Sequence, residues 1–311
     1  MSHITVIGEM NVRVIASGYR ELPQLYPTNA KIEASYAGTA EAIAKRTIEA
    51  GESVTLMTAL GNDFIGRAAK NDMAAKGINV DNVMLVEDMP TPIEIITLNI
   101  LGDLDYNLVN EETQKSIKVE HIEEALDMIN ASAMVAVDAS LSQDVLEYIA
   151  DNVTAPKFFD PGTEEYAKKA KEIIGKFDVI KPNRAEASAL YGKDIFSEEE
   201  LRAGCEWLQE QGVKKIFITL SGGGVFYKDG DKDGFVRPEE VFNFVRKDGA
   251  GDAFSAAIVD GFVKGMSVEE IAAYGMKEAE VIMRTKHVFD PSELLWGESI
   301  DGPEANRGND W

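Results

Sequence analysis

Apolar residues recur along the 311-residue chain in two alternating rhythms. Short apolar runs at residues 4–7, 53–58, 134–137, 158–159, 179–180 and 216–220 read as strands buried on both faces. Longer stretches with the 3.6-residue spacing of amphipathic helices lie between them. Strands and helices that alternate in this way predict an α/β protein with a doubly wound, mostly parallel sheet flanked by helices. Two helix starts are marked by Ser197 with Glu200 and Ser267 with Glu270, each at capping-box spacing. Phe254, Ala257, Ile258, Gly261 and Phe262 share one helical face and predict a single inward stripe. Residues 93–99 and 106–109, on either side of a turn at Gly102-Asp103, break the helical rhythm and predict a hairpin.

A chain of this length with 45% hydrophobic residues can bury one substantial core, so residues 1–296 are expected to form a single domain. Residues 297–311, rich in Gly, Asp, Glu and Asn, are expected to be a disordered tail. The single cysteine, Cys205, excludes an internal disulfide framework, and His3, His121 and His287 are too scattered for a zinc-finger-type site. The first residues run directly into the apolar 4–7 segment without a basic leader, and no apolar run has transmembrane length, which predicts a cytoplasmic protein without a membrane partner. With 31 Lys and Arg against 54 Asp and Glu, the formal charge of −23 repels nucleic acid polymers.

Candidate chemistry concentrates in Asp248-Gly249-Ala250-Gly251-Asp252-Ala253-Phe254. The small residues Gly249, Ala250 and Gly251 let consecutive amides close around an oxyanion at a helix start, where the helix dipole adds positive potential. Asp252, in the first turn, is placed to take a proton from a hydroxyl that attacks a phosphate held there. The bland alternative is a helix start with an acidic first turn. Asn183 and Glu186, three residues apart after a strand, could present an amide and a carboxylate to a hydrated Mg²⁺, or serve as a helix cap beside a solvated acid. Asp138, Asp160 and Asn183 each follow an apolar run, at the carboxyl ends where open α/β sheets bind ligands. No Walker A pattern is present, which disfavours a P-loop enzyme.

Three of these patterns together resemble the PfkB or ribokinase-like family of carbohydrate and nucleoside kinases: Tyr36-Ala37-Gly38 through Gly61-Asn62-Asp63-Phe64-Ile65-Gly66, then Lys181-Pro182-Asn183-Arg184-Ala185-Glu186, then Gly249-Ala250-Gly251-Asp252. They occur in family order, and the likeness extends over roughly residues 3–296. The resemblance implies a ribokinase-like fold with lid strands inserted at about residues 12–36 and 91–110. It implies phosphoryl transfer from ATP with Mg²⁺ to a hydroxyl of a small sugar or nucleoside. In that scheme Asp252 is the base, Gly249, Ala250 and Gly251 form the anion cradle, and Asn183 and Glu186 organise the metal through water. Thr219, Ser221, Gly222 and Gly224 would face the nucleotide, although Gly222-Gly223-Gly224 reads equally well as a hairpin turn. Asn11, Arg13 and Gly38 would meet the substrate. The exposed edge of the lid could pair with a second copy to form a homodimer.

Some positions depart from the family pattern. Arg13 stands where an acidic sugar contact is usual, Ala42 where an Asn is usual, and Arg246 where an Asp associated with monovalent cations is usual. Val137-Asp138-Ala139-Ser140-Leu141, Phe159-Asp160-Pro161, residues 181–184 and Asp290-Pro291-Ser292-Glu293-Leu294 resemble pseudouridine kinases, which makes a nucleoside or pentose the first expectation. Gly8-Glu9 followed by Arg13 instead resembles kinases of acidic sugars such as 2-keto-3-deoxygluconate, in which an unmatched arginine would meet a substrate carboxylate. The lost contacts also leave open a homologue that binds nucleotide without catalysis.

Overall fold

The strand β1 (His3–Ile7) is buried along almost its whole length, as a central strand covered on both faces must be. It pairs in parallel with β4 (Ser53–Gly61) on one side and β8 (Met134–Asp138) on the other. A computed structural model describes residues 2–18, 27, 29–99, 104–220, 224–238 and 249–284 of the chain. The expectations for the turn at 102–103, Ser221, Gly222, Arg246, the 290–294 segment and the 297–311 tail fall outside the described residues.

Beyond β4 lies β5 (Val83–Val86), and beyond β8 follow β9 (Lys157–Asp160), β10 (Val179–Ile180) and β11 (Lys215–Leu220), all parallel. The antiparallel β12 (Gly224–Asp229) and β13 (Lys232–Val236) complete a nine-stranded order among the described residues, β13-β12-β11-β10-β9-β8-β1-β4-β5. Each apolar run read as a strand lies within one of these. The chain winds outward from β1 to β5, then returns to β8 and winds the other way. The crevice above the carboxyl ends of β1 and β8 is therefore a topological switch point, where doubly wound sheets bind ligands.

Helices cover both faces. On one face α1 (Thr39–Glu49), α2 (Phe64–Ala75), α9 (Ala250–Val263) and α10 (Val268–Arg284) bury Ile43, Met73, Ile258 and Ile271 against the sheet. On the other, α3 (Val119–Glu124), α4 (Leu126–Asn130), α5 (Gln143–Asn152), α6 (Glu164–Ala170), α7 (Arg184–Tyr191) and α8 (Glu198–Gln211) bury Ile122, Ile129, Leu146, Ala167, Leu190 and Leu208. Ser197 caps α8 reciprocally with Glu200, as the spacing predicts. The single stripe expected on α9 is too narrow. Residues 254–261 are buried all round, because α9 is wedged between α1, α10 and the sheet.

A second sheet of four strands, ordered β3-β2-β6-β7, projects over the carboxyl edge of the first: β2 (Asn11–Gly18), β3 (Ala30–Ala37), β6 (Ile93–Leu98) and β7 (Leu104–Asn110). The β6–β7 pair is antiparallel, and β2 runs parallel to β6. Ile95, Leu104, Tyr106 and Leu108 are exposed.

Candidate active site

The cleft between the two sheets is lined from below by Glu9, Asp138, Ser140 and Asp252, from the lid by Asn11, Arg13 and Glu94, and from the side by Glu111 and Tyr166. It lies at the switch point that the strand order creates.

Gly249 begins α9 with φ 80°, a left-handed conformation that favours glycine, and no side chain caps the helix. The amides of the first turn are thereby left available to an anion. Asp252 follows in that turn, half-buried, and Thr39 Oγ1 at the start of α1 donates to its Oδ1 at 2.8 Å. Burial raises the Asp252 pKa above the ordinary aspartate value; the Thr39 hydroxyl and the nearby Lys181 ammonium pull in the opposite direction. Thr39 can sit there because the turn before it is tight. Gly38 has φ 106°, and a Cβ there would come within 2.4 Å of the Glu9 carbonyl oxygen.

On the lid, Asn11 is 5% exposed and its Nδ2 donates to Glu9 Oε1 at 2.6 Å, while its Oδ1 is buried without a partner. The Glu9 amide donates to Asp138 Oδ2 at 2.6 Å, and Asp138 also accepts from the amide and hydroxyl of Ser140. Burial, reinforced by Asp138, pushes the Glu9 carboxyl up to about 7. Burial likewise raises Asp138 to about 6, against the bonds from Ser140 and Glu9. Tyr166 OH donates to Glu111 Oε1 at 2.8 Å and closes the side wall.

Arg13 lines the cleft, but the expectation of an unmatched charge is overturned. Arg13 stands opposite Glu94 in the β2–β6 register, and its Nε donates to Glu94 Oε2 at 2.6 Å. Asn107 Nδ2 holds the other carboxylate oxygen at 3.0 Å. Glu94 lies on a neighbouring strand far along the chain, so only the register reveals the pair. Ala42 lies in α1 and is absent from the cleft lining.

Asn183 and Glu186 meet as a reciprocal cap on α7. The Asn183 amide donates to Glu186 Oε2 at 2.8 Å, Asn183 Nδ2 to Oε1 at 2.6 Å, and the Glu186 amide to Asn183 Oδ1 at 3.0 Å. Burial and the neighbouring Asp160 raise Glu186 to about 7, while Lys181 works the other way. Thr219 is bridged to Asn183, and its amide donates to the Pro182 carbonyl at 3.0 Å. Gly224 opens β12 opposite Leu220 and has φ 92°. β11 and β12 thus pair antiparallel on either side of residues 221–223, which lie outside the described residues. Asn183 and Glu186 line a second hollow that shares Glu111, Gly162, Thr163 and Tyr166 with the cleft.

Among the described residues no group of three or more His, Cys, Asp or Glu side chains could hold a metal ion. With one buried carboxylate whose oxygens retain lone pairs, the Glu186 environment suits a hydrated Mg²⁺ reached through water better than a direct chelate.

The model of the pfkB family of carbohydrate kinases matches residues 1–293. The chain belongs to this family. It is 23% identical over 291 residues to a pseudouridine kinase of Escherichia coli, with 93% of each chain covered. It is 26% identical over 300 residues to a guanosine-inosine kinase of Exiguobacterium acetylicum, covering 94% of this chain and 99% of the other. The fold superposes on Arabidopsis thaliana ribokinase complexed with ribose and ATP with a TM-score of 0.79 at 18% identity, covering 94% and 97% of the two chains. The protein is thus a carbohydrate or nucleoside kinase with a ribokinase-like fold, as the resemblance implies. No helix among the described residues is long and apolar enough to cross a membrane.

Sequence reasoning gave no site role to Glu94, Glu111, Tyr166 or Thr39, quoted Glu9 and Lys181 only within motifs, and noted Asp138 and Asp160 as strand-end residues and as part of the resemblance without assigning them a role. For Glu9 a usable signal was present, since an acid directly after a buried strand in an α/β protein stands where ligands bind.

Proposed function

We propose that the protein transfers the γ-phosphate of ATP to a hydroxyl of a neutral, donor-rich sugar or nucleoside, with pseudouridine-like nucleosides as the first choice. The observation that carries this reading is Asn11 Oδ1, a buried acceptor without a partner in the wall of the cleft. A buried polar atom left unpaired costs about 1–3 kcal/mol, which a substrate hydroxyl or N–H would recover. Among the described residues the cleft lining also carries Glu9, Glu94, Glu111, Asp138 and Asp252 against one cation, Arg13, which Glu94 already holds. Such a lining accepts hydrogen bonds from hydroxyls and repels a substrate carboxylate. The acidic-sugar alternative loses its motive with the Arg13–Glu94 pair. The names of the two nucleoside kinases above support a nucleoside within the neutral class.

In this reading Asn11, Glu9 and the Gly38 turn orient the substrate while Arg13 and Glu94 stiffen the lid above it. Asp252 removes the proton as the hydroxyl oxygen forms its bond to the γ-phosphorus and the bond to the ADP oxygen breaks. The amides of Gly249, Ala250 and Gly251 stabilise the charge on the equatorial oxygens. Asn183 and Glu186 would hold the water shell of a Mg²⁺, which would supply charge neutralisation for the polyphosphate, and Thr219 and Gly224 stand at the strand ends that would meet the nucleotide. ADP release against a panel of neutral nucleosides, pentoses and acidic sugars tests the proposal. Turnover with neutral members is expected, and turnover confined to carboxylated sugars would overturn it.

A further inference from the structure

Behind the anion-binding turn lies a buried charge cluster that the reading above does not use. Lys181 leaves β10, and its Nζ lies 2.9 Å from Asp160 Oδ2 at the end of β9 and 3.4 Å from the Gly251 carbonyl oxygen. Ser255, one turn further along α9, donates to the same Asp160 oxygen at 2.5 Å, with the Gly251 carbonyl oxygen 3.1 Å from its Oγ as an alternative acceptor. The Lys181 and Asp160 side chains are 8% and 3% exposed. Two strand ends are thereby tied to the first turn of α9 through one carboxylate and one ammonium.

Stability gives little reason for such a cluster. A buried ion pair often contributes no more than a well-packed apolar pair of similar volume, because both ions lose their hydration. Its location gives a better one. Lys181 is the cation that reaches Gly251 from below, and Asp252 comes next in the chain. A fixed positive charge at that point requires no reorganisation when negative charge develops on a phosphoryl group above.

We propose that Lys181 is a positioning residue for phosphoryl transfer, seating the Gly249–Gly251 turn and supplying fixed positive charge beneath it and beside Asp252. The proposal rests on the reading of Asp252 as the base. Burial alone would push the Lys181 ammonium down, but Asp160, Glu186 and Asp252 outweigh it and keep it charged. Asp252 is faced by the Thr39 hydroxyl from α1, Arg13 from β2, Asp160 from β9 and Lys181 from the β10–α7 turn, and it also interacts with Glu9 and Glu41. With Arg13 engaged by Glu94, removing Lys181 takes away the cation acting most strongly on Asp252.

The test compares Lys181→Met, Lys181→Arg and the double variant Asp160→Asn/Lys181→Met with Asp252→Asn, reading thermal melting, kcat, substrate KM and the pH profile of kcat. Lys181→Met should lower kcat about 10- to 100-fold, less than the roughly 10²- to 10³-fold cost of losing a direct oxyanion contact, because Lys181 acts from beneath the turn. KM should stay within about threefold, and the acid limb of kcat should move to higher pH, because Asp252 loses a cation that favours its ionised form. Lys181→Arg should recover part of kcat and return the acid limb toward its original position. The double variant removes both charges, so it should melt like the wild type and keep the low kcat, with an acid limb displaced less than in Lys181→Met because Asp160 acts on Asp252 in the opposite sense to Lys181. Wild-type kcat in the double variant would overturn the proposal, leaving Lys181 as a counter-charge for Asp160. An unchanged kcat in Lys181→Met beside an inactive Asp252→Asn would also overturn it while sparing the base assignment. Wild-type turnover in Asp252→Asn would remove the base and the proposal together.

Discussion

Arg13 Nε donates to Glu94 Oε2 at 2.6 Å across the β2–β6 register, with both side chains little exposed. The pair neutralises the one cation that lines the cleft among the described residues and ties two lid strands together above that cleft. Removing one partner strands the other: Arg13→Ala would leave Asn107 as the partner that holds Glu94 among the described residues. Arg13→Ala should therefore lower kcat/KM for neutral substrates several-fold through lid disorder without opening the site to carboxylated sugars. Arg13→Met/Glu94→Gln should recover much of the loss. Steady-state kinetics on matched neutral and acidic substrates checks this, and a selective loss on acidic substrates would contradict it.

Asp252→Asn should keep the fold and nucleotide binding while lowering kcat by about 10² to 10⁴, the usual effect of losing a positioned proton acceptor. Calorimetric titration with ATP and turnover assays separate the two effects. Turnover within about threefold of wild type would remove Asp252 from the chemistry.

Glu9 couples stability to pH. Its folded carboxyl titrates at about 7 against an ordinary value of 4.5, so folding favours the protonated form. That contribution is complete below the ordinary value and is lost as pH rises toward 7, leaving a buried charge above it. Glu9→Gln, which cannot ionise, should melt higher than wild type at pH 8, by on the order of 2 kcal/mol after allowing for partial exposure, and close to wild type at pH 5. Equal shifts at the two pH values would contradict the assignment. The same variant should raise substrate KM, since it loses an acceptor.

Glu186→Gln retains part of the α7 cap but loses the carboxylate. It should raise the magnesium concentration needed for half-maximal rate at saturating ATP and, at pH 5, where the burial-raised Glu186 carboxyl is itself uncharged, lower stability by about 1 kcal/mol, the usual scale of a helix cap. Loss of stability with unchanged magnesium dependence would leave Glu186 as a cap alone.

Much of the fold was legible because parallel strands covered on both faces are written as short unbroken apolar runs, as at residues 134–137 and 216–220. The start of α9 was legible for a similar reason: small residues ahead of an acid mark a helix N-terminus, and the helix begins there, with Asp252 in its first turn. The remainder depends on register and crossover. Nothing local in Ile93-Glu94-Ile95 says that Glu94 will stand opposite Arg13, and nothing in Phe159-Asp160 says that Ser255 and Lys181 will converge on its carboxylate. The burial of α9 on all sides was missed because its stripe was counted on one face while α1 and α10 cover the others.

The most direct test of the central claim is single-turnover transfer from γ-labelled ATP to the neutral nucleoside or pentose that supports the fastest ADP release, followed by mass analysis of the product, for wild type and Asp252→Asn. The account predicts a singly phosphorylated neutral substrate, formed at a rate that falls by about 10² or more in the variant. ATP hydrolysis without a phosphorylated acceptor, or equal transfer rates in the two proteins, would contradict it.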